Sequence, residues 1–337
     1  MTIVRTVGSQ PAAVAGELVA AAALLRDADD VTLLGHVNPD ADALGSALAL
    51  GLALHRRGAA VRVSFGEPDT APESLSDLDV AGLLVPATAV PAAPELLVTL
   101  DAGSAARLGR LAGRVRTARR VLVVDHHASN TRFGSHHLVD ETAEATAVLV
   151  VRLLDELGVE LDYDLARCLY AGLVTDTRCF RTASPETHLL AARLLTTGVQ
   201  PEVEARALLD THPFGWLGML SSVLERARLE PSAARGLGMV HTTVRLRDAA
   251  RLRTEEVESV IDLVRTAAEA EVAAVLKEVG PDRWSASLRA KQHIDVGTAA
   301  TFLGGGGHRL ASGFTAAGTE DEVLDALRTA LDAAPLI

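Results

Sequence analysis

Val121-Leu122-Val123-Val124-Asp125-His126-His127 is an apolar run that stops abruptly at an acid and two imidazoles. The run reads as a buried strand. In open α/β sheets, ligands gather where the carboxyl ends of strands open into a crevice. Adjacent histidines there can place one ring on a metal and leave the other near a substrate. The plainer reading is a strand end capped by solvated histidines, and acidic clusters elsewhere in the chain decide between the two.

Outward from this stretch, the same pattern recurs. Residues 31–34 read as a short strand, followed by Gly35-His36-Val37-Asn38-Pro39-Asp40-Ala41-Asp42 and an apolar helix over 43–57, with Asp42 in the N-cap region. Residues 61–65 and 96–100 read as further strands, the second ending in Asp101. Helices are expected over 143–157 and 164–176, the latter closing on Thr175-Asp176-Thr177. Alternating strands and helices predict a largely parallel sheet with helices on both faces.

Upstream, residues 12–26 read as an amphipathic first helix rather than a signal peptide, because the apolar stretch is short, Ala-rich and flanked by Glu17 and Arg26. Downstream, residues 185–228 show helical pattern only, and the Pro-, Gly- and Ser-rich stretch 231–238 marks a boundary. A smaller α/β domain follows. It has strands over 238–244, 272–279 and 284–288, helices over 255–267, 296–302 and 321–331, and an interruption at Gly304-Gly305-Gly306-Gly307-His308. The expected division is residues 1–190, a helical connector over 191–235, and a C-terminal domain over 236–337.

The chain has 337 residues, is 48% hydrophobic and carries a net charge of −12. Such acidity argues against a general surface for long nucleic acid, while a short anionic ligand held by a few arginines and metal ions stays open. With few aromatic residues, an extended base-stacking track is not supported. Two cysteines, Cys168 and Cys179, cannot build a disulfide framework and fit a reduced cytosol. No run is long enough to span a membrane.

The candidate chemistry lies in His36, Asp40 and Asp42, in Asp101, in Asp125, His126 and His127, and in Asp176. Carboxylates with a few imidazoles suit a divalent ion such as Mn2+ better than a thiolate-loving one. A carboxylate at a helix C-terminus is electrostatically disfavoured, so Asp176 implies a positive partner. This ligand count suits two ions about 3.5–4 Å apart, an arrangement used for phosphoryl hydrolysis. Successive glycines at 304–307 let backbone amides approach an anion closely, with His308, Arg309, Arg289 and Lys291 as neighbouring donors.

These motifs resemble those of the DHH phosphoesterase family. Asp125-His126-His127 matches its eponymous motif, His36 to Ser46 its first, Asp101 with Arg107 its second and Gly172 to Asp176 its fourth. The glycine–histidine loop resembles the signature of the DHH-associated C-terminal domain, and length and domain order are similar to the NrnA branch of nano-RNases and pAp phosphatases. The resemblance implies one Mn2+ on His36, Asp40 and Asp101 and a second on Asp42, Asp101, His126 and Asp176, with Asp101 bridging and Mg2+ or Co2+ as substitutes. It implies Asp125 acting from behind these ligands, His127 facing the scissile phosphate, and Arg289, Lys291, Gly305, Gly306, Gly307, His308, Arg309 and Arg107 binding substrate in a cleft between the domains. The implied substrates are RNA of a few nucleotides, pAp, cyclic di-AMP and linear pApA, cleaved by a cytoplasmic homodimer. The family's fourth motif often continues Thr-Asp-Thr-Gly, whereas this chain has Arg178. Two alternatives remain: a pyrophosphatase or polyphosphatase of the same superfamily, which would lack the glycine–histidine loop, and a non-catalytic nucleotide-sensing module.

Overall fold

A computed structural model describes residues 12–337. The chain forms two compact units that divide between Thr211 and His212. The first contains α1 (Ala12–Arg26), β1 (Asp30–Leu34), α2 (Ala41–Arg56), β2 (Ala60–Ser64), β3 (Leu96–Leu100), α3 (Arg114–Thr117), β4 (Arg120–Asp125), β5 (His136–Val139), α4 (Thr146–Glu156), α5 (Tyr163–Asp176), α6 (Pro185–Leu195) and α7 (Pro201–Leu209). Its five strands form one sheet in the order β2-β1-β3-β4-β5, and every pairing is parallel.

Parallel strands covered on both faces read as continuous apolar runs, and these do. Val31, Leu33, Val98, Leu100, Leu122 and Val124 point into a core shared with α1, α2, α4 and α5. Leu34, Leu97, Val121 and Val123 point to the opposite face. That face is covered by short 3-10 turns (Ala87–Ala89 and Ala105–Leu111) and α3 rather than by the long helices expected there. The stretch 191–235 is shared: α6 and α7 pack on α5, while the segment from His212 onward belongs to the second unit.

The second unit contains α8 (Gly215–Glu225), β6 (Arg228–Glu230), α9 (Ala233–Gly236), β7 (Met239–Val244), α10 (Leu246–Ala249), α11 (Thr254–Val264), β8 (Val272–Gly280), β9 (Arg283–Ala290), α12 (Val296–Phe302), β10 (Gly306–His308), β11 (Ala311–Ala317) and α13 (Glu320–Ala333). Its six strands run in the order β10-β11-β9-β8-β7-β6. Only β7 and β8 pair in parallel; the others are antiparallel. On one face, Val272, Ala274, Leu276, Ala286, Leu288 and Phe314 pack against α12 and α13. On the other, Val240, Val244, Ala273 and Val275 pack against α8 and α11. Among the described residues, no helix is long and apolar enough to cross a membrane.

Glu230 ties three elements of this unit together. Its carboxylate accepts from Arg328 of α13 at 2.8 and 2.7 Å and faces His241 Nε2 of β7 at 2.8 Å. The Arg328 bonds hold its pKa below the usual carboxylate range. A depressed folded pKa contributes stability that is complete above the unfolded value of about 4.3 and is lost as pH falls through the folded value. Glu230→Gln is therefore expected to cost about 1 kcal/mol near neutral pH. That difference should shrink steadily below about pH 4.3. Thermal unfolding of both proteins between about pH 3 and about pH 7 checks it; a deficit independent of pH would rule out the ionic origin.

Candidate functional site

The loop between β1 and α2 presents its polar side chains by splitting their tasks. Asp40 is the α2 N-cap: its Oδ1 accepts from the backbone N–H groups of Asp42 and Ala43 at 3.1 and 3.0 Å. This corrects the expectation of Asp42 as the cap, since the helix begins at Ala41 and Asp42 lies in its first turn. The other oxygen, Asp40 Oδ2, lies 3.6 Å from His36 Nε2. Asp42 instead reaches the first turn of α4, where it accepts from Thr146 N at 2.6 Å and Ala147 N at 2.9 Å. Its carboxylate thus sits at a helix N-terminus, where the macrodipole favours negative charge.

Asp101 stands at the centre. It follows β3 with φ of +57°, in the left-handed region that non-glycine residues rarely adopt. Its oxygens point different ways. Oδ2 is 3.4 Å from His36 Nε2, and Oδ1 is 3.4 Å from His126 Nε2. Thr146 Oγ1 donates to Oδ1 at 3.0 Å. His126 Nε2 also lies 3.2 Å from Asp176 Oδ2 at the end of α5.

Both histidines have a defined tautomer. His36 Nδ1 is 2.8 Å from the Val37 carbonyl and His126 Nδ1 is 3.1 Å from the Ala143 carbonyl. A carbonyl only accepts, so each Nδ1 carries hydrogen. In a neutral ring, Nε2 then holds a lone pair aimed at carboxylate oxygens. Acceptor facing acceptor requires a cation between them. A proton or a metal ion meets that requirement. Burial pulls His36 down, but Asp40 and Asp101 outweigh it and raise its pKa to about 10. Burial likewise opposes charge on His126, and bonds to Asp101 and Asp176 lift it to about 12. Burial and the charges of Asp176 and Asp101 push Asp42 well above the usual carboxylate range. Burial raises Asp176 to about 6, with Asp101 and Asp40 adding to the rise and His126 opposing it. A buried, oxygen-rich set with two imidazole lone pairs fits hard or borderline divalent ions.

Among the described residues, the groups close enough to hold an ion include His36, Asp40 and Asp101, and Asp42, His126 and Asp176. Asp125, His127 and Asp101 form an adjoining group. His127 Nδ1 is 2.7 Å from Asp125 Oδ1, and Asn130 Nδ2 donates to Asp125 Oδ2 at 2.5 Å. Asp125 is fully buried and orients the ring. Burial lowers the His127 pKa, but Asp125 and Asp101 raise it overall. Thr146 and Asn130 escaped the sequence reading. Each lies next to a singled-out residue only in three dimensions, and neither belongs to an acid or histidine cluster.

A turn after Asp176 completes this region. Arg178 N donates to the Thr175 carbonyl at 3.0 Å and Cys179 N to the Val174 carbonyl at 2.8 Å. This is a Schellman pairing, with Arg178 at the C′ position where glycine is usual. Arg178, Cys179 and Phe180 have φ of +51°, +56° and +64°. Left-handed backbone costs roughly 1–2 kcal/mol per non-glycine residue.

The C-terminal candidates are distributed differently from expectation. The glycine run is not a simple loop. Gly304, at φ +80°, ends α12, and Gly306 to His308 form β10. A Cβ on Gly305 would lie 2.1 Å from the Gly313 carbonyl oxygen and one on Gly307 2.6 Å from that of Ala311, so these glycines permit the close β10–β11 approach. Gly306 has open space where a Cβ would stand. Arg289 pairs with Ala311, and Ala311 with His308, so Arg289 and His308 share one cross-strand row and face. Lys291 Nζ donates to the carbonyls of Ala267 at 2.6 Å and Ala268 at 3.1 Å. Arg309 is exposed, and its carbonyl accepts from Val296 N at 2.8 Å. Arg107 is exposed in the first unit, and its carbonyl accepts from Val37 N at 2.8 Å beside His36.

His212 stacks on Trp216 with ring centroids 4.0 Å apart, and Phe180 stacks on His188 at 5.5 Å. Trp284 Nε1 donates to the Gly318 carbonyl at 3.0 Å.

A model of the DHH family, N-terminal domain, matches residues 30–173, and a model of the DHHA1 domain matches residues 239–334. The chain is 32% identical over 306 residues to the bifunctional oligoribonuclease and PAP phosphatase NrnA of Thermus thermophilus, covering 88% of each. A probable manganese-dependent inorganic pyrophosphatase of Streptococcus mutans is 29% identical over 161 residues, covering 47% of this chain and 51% of that protein. The crystal structure of an exopolyphosphatase-related protein from Bacteroides fragilis has the same fold, with a TM-score of 0.84 at 20% identity over 98% of both chains.

Proposed function

This chain belongs to the DHH family of phosphoesterases, and on that premise we propose that it hydrolyses phosphate esters of short nucleotides. The substrates are RNA of a few nucleotides, pAp, and cyclic di-AMP with its linear product pApA. The observation that carries the reading is Asp101, whose two oxygens face the two imidazole–carboxylate groups separately. The likeness over 88% of both chains to an oligoribonuclease and PAP phosphatase supports the substrate class.

In this mechanism His36, Asp40 and Asp101 would hold one Mn2+, and Asp42, Asp101, His126 and Asp176 would hold a second. When bound, the ions supply a water acidic enough to ionise near neutral pH and neutralise phosphate charge. Asp42 keeps its orientation through the α4 amides, and Thr146 keeps that of Asp101. Asp125 holds His127 through Nδ1. With Nδ1 so engaged, Nε2 is the His127 nitrogen left to donate a proton toward the departing oxygen. Arg289 and His308 bind a phosphate or a nucleotide end. Both cysteines are free, in keeping with a reduced, cytosolic setting; a homodimer is part of the proposal on family resemblance.

The test is a product assay with Mn2+ on pAp, a linear dinucleotide, a longer oligomer, cyclic di-AMP and pyrophosphate. Turnover confined to the short nucleotides is expected. Turnover of pyrophosphate alone would favour the pyrophosphatase reading, for which the partial likeness to that enzyme is the specific support. Nucleotide binding with no turnover would favour the sensing module.

A further inference from the structure

We propose that Arg178 is a specificity-determining residue of the catalytic unit, whose guanidinium binds a phosphate oxygen of the substrate. The inference rests on the phosphoesterase reading above and adds a residue to it. Its starting point is position. Arg178 lies two residues beyond Asp176, at the C′ position of the Schellman turn that ends α5. That position takes glycine readily because it requires left-handed backbone. Here it carries a long charged side chain at φ +51°.

The surrounding structure holds the turn in this form. Besides the Schellman pair, Phe180 N donates to Thr177 Oγ1 at 3.0 Å, and Thr182 N donates to the Thr177 carbonyl at 3.2 Å. Thr177 is fully buried and donates in turn to the Leu173 carbonyl at 2.6 Å. Phe180 has its own reason for the left-handed region, since its ring packs against Tyr170 at 5.9 Å and His188 at 5.5 Å. Packing of that kind anchors the far end of the turn. Strained backbone retained against a cheaper residue is a pointer to function when the neighbouring structure over-determines it.

Charge supplies the chemistry. The side chains assembled around Asp101 are carboxylates, imidazoles and a hydroxyl. A phosphate ester approaching Asp176 gains from a permanent cation beside it. A guanidinium provides one, with paired donors that match phosphate oxygens. A half-buried arginine two residues past the ligand suits that task. The ligand class is therefore a phosphate monoester or diester, and the effect is on binding rather than on the chemical step.

The experiment compares wild type, Arg178→Gly and Arg178→Lys. Glycine relieves the backbone and removes the cation; lysine keeps the charge and the backbone demand but loses the planar fork. KM and kcat for pAp and a linear dinucleotide would be measured with Mn2+, together with the Kd for AMP by calorimetry and the Tm. For Arg178→Gly, KM and the AMP Kd are expected to rise about 10–100-fold. Its kcat should change less than about threefold and its Tm should not fall, with Arg178→Lys intermediate in affinity. Unchanged KM and AMP affinity would overturn the proposal. So would a fall in kcat alone, which would mean action through Asp176, or a clear loss of Tm, which would mean a structural cap. Wild type that turns over none of the nucleotides would instead sink the phosphoesterase reading, while the AMP titrations still decide whether Arg178 holds a phosphate.

Discussion

Asp101→Asn is expected to lower kcat/KM for short nucleotides by at least about 1,000-fold while leaving the far-UV circular dichroism unchanged. Asparagine is the informative replacement. It tolerates the left-handed φ of +57° that alanine would strain against, and it keeps an oxygen for the Thr146 hydroxyl. What it loses is the charge and one anionic oxygen. Under the proposed arrangement Asp101 belongs to both ion sites, so Mn2+ capacity measured by calorimetry should fall along with turnover. Retention of activity within about tenfold would sink the bridging assignment. Normal metal binding with lost turnover would move Asp101 from ligand to substrate positioning.

Gly172→Ala is expected to damage activity far more than stability. α2 and α5 pack tightly against each other. At one point a Cβ on Gly45 would lie 2.3 Å from the Cys168 carbonyl oxygen, closer than any real contact. At Gly172 the obstacle is the site itself: an added Cβ would lie 2.6 Å from Asp42 Oδ1 and 2.9 Å from Asp42 Cα. Alanine favours a helix interior by about 1 kcal/mol over glycine, and overpacking costs about 1–3 kcal/mol. The net loss of stability is thus modest, about 0–2 kcal/mol or at most a few degrees in Tm. Displacing Asp42, whose two oxygens are committed to Thr146 N and Ala147 N, should cost 100-fold or more in kcat/KM by the general sensitivity of ~100-fold to a 1 Å misplacement. Gly16→Ala is the matched control. It lies on α1 with nothing near its Cβ position, so it should raise stability slightly and leave turnover alone. Equal behaviour of Gly172→Ala and Gly16→Ala would refute the close-approach argument.

The residues that carry chemistry were legible because their signal is local. A buried strand shows as an apolar run, and an acid or imidazole at its end is visible without a fold. Hence β1, β3 and β4, with His36, Asp101 and Asp125 to His127 beyond or at their ends, were readable directly. The strands expected over 272–279 and 284–288 are β8 and β9, which pair antiparallel across Pro281 and Asp282. The glycine expected at position 178 by resemblance also gains a physical basis, since the backbone there is left-handed.

What each of those groups does was decided only by tertiary structure. Asp40 rather than Asp42 caps α2, because Asp42 meets amides at Thr146 and Ala147, over a hundred residues away in sequence. Lys291 Nζ meets two carbonyls in the segment after α11, partners that no local pattern around Arg289 specifies. The glycine run looked like an open loop, yet the approach of β11 makes half of it a strand. By itself, the amino-acid sequence determined the parallel α/β architecture of the first unit and the oxygen-and-imidazole composition of its centre, since both follow from side-chain type and short-range periodicity. Tertiary structure alone decided which oxygen caps a helix and which faces an imidazole, because those choices depend on partners brought together by packing and on backbone angles that no local pattern specifies.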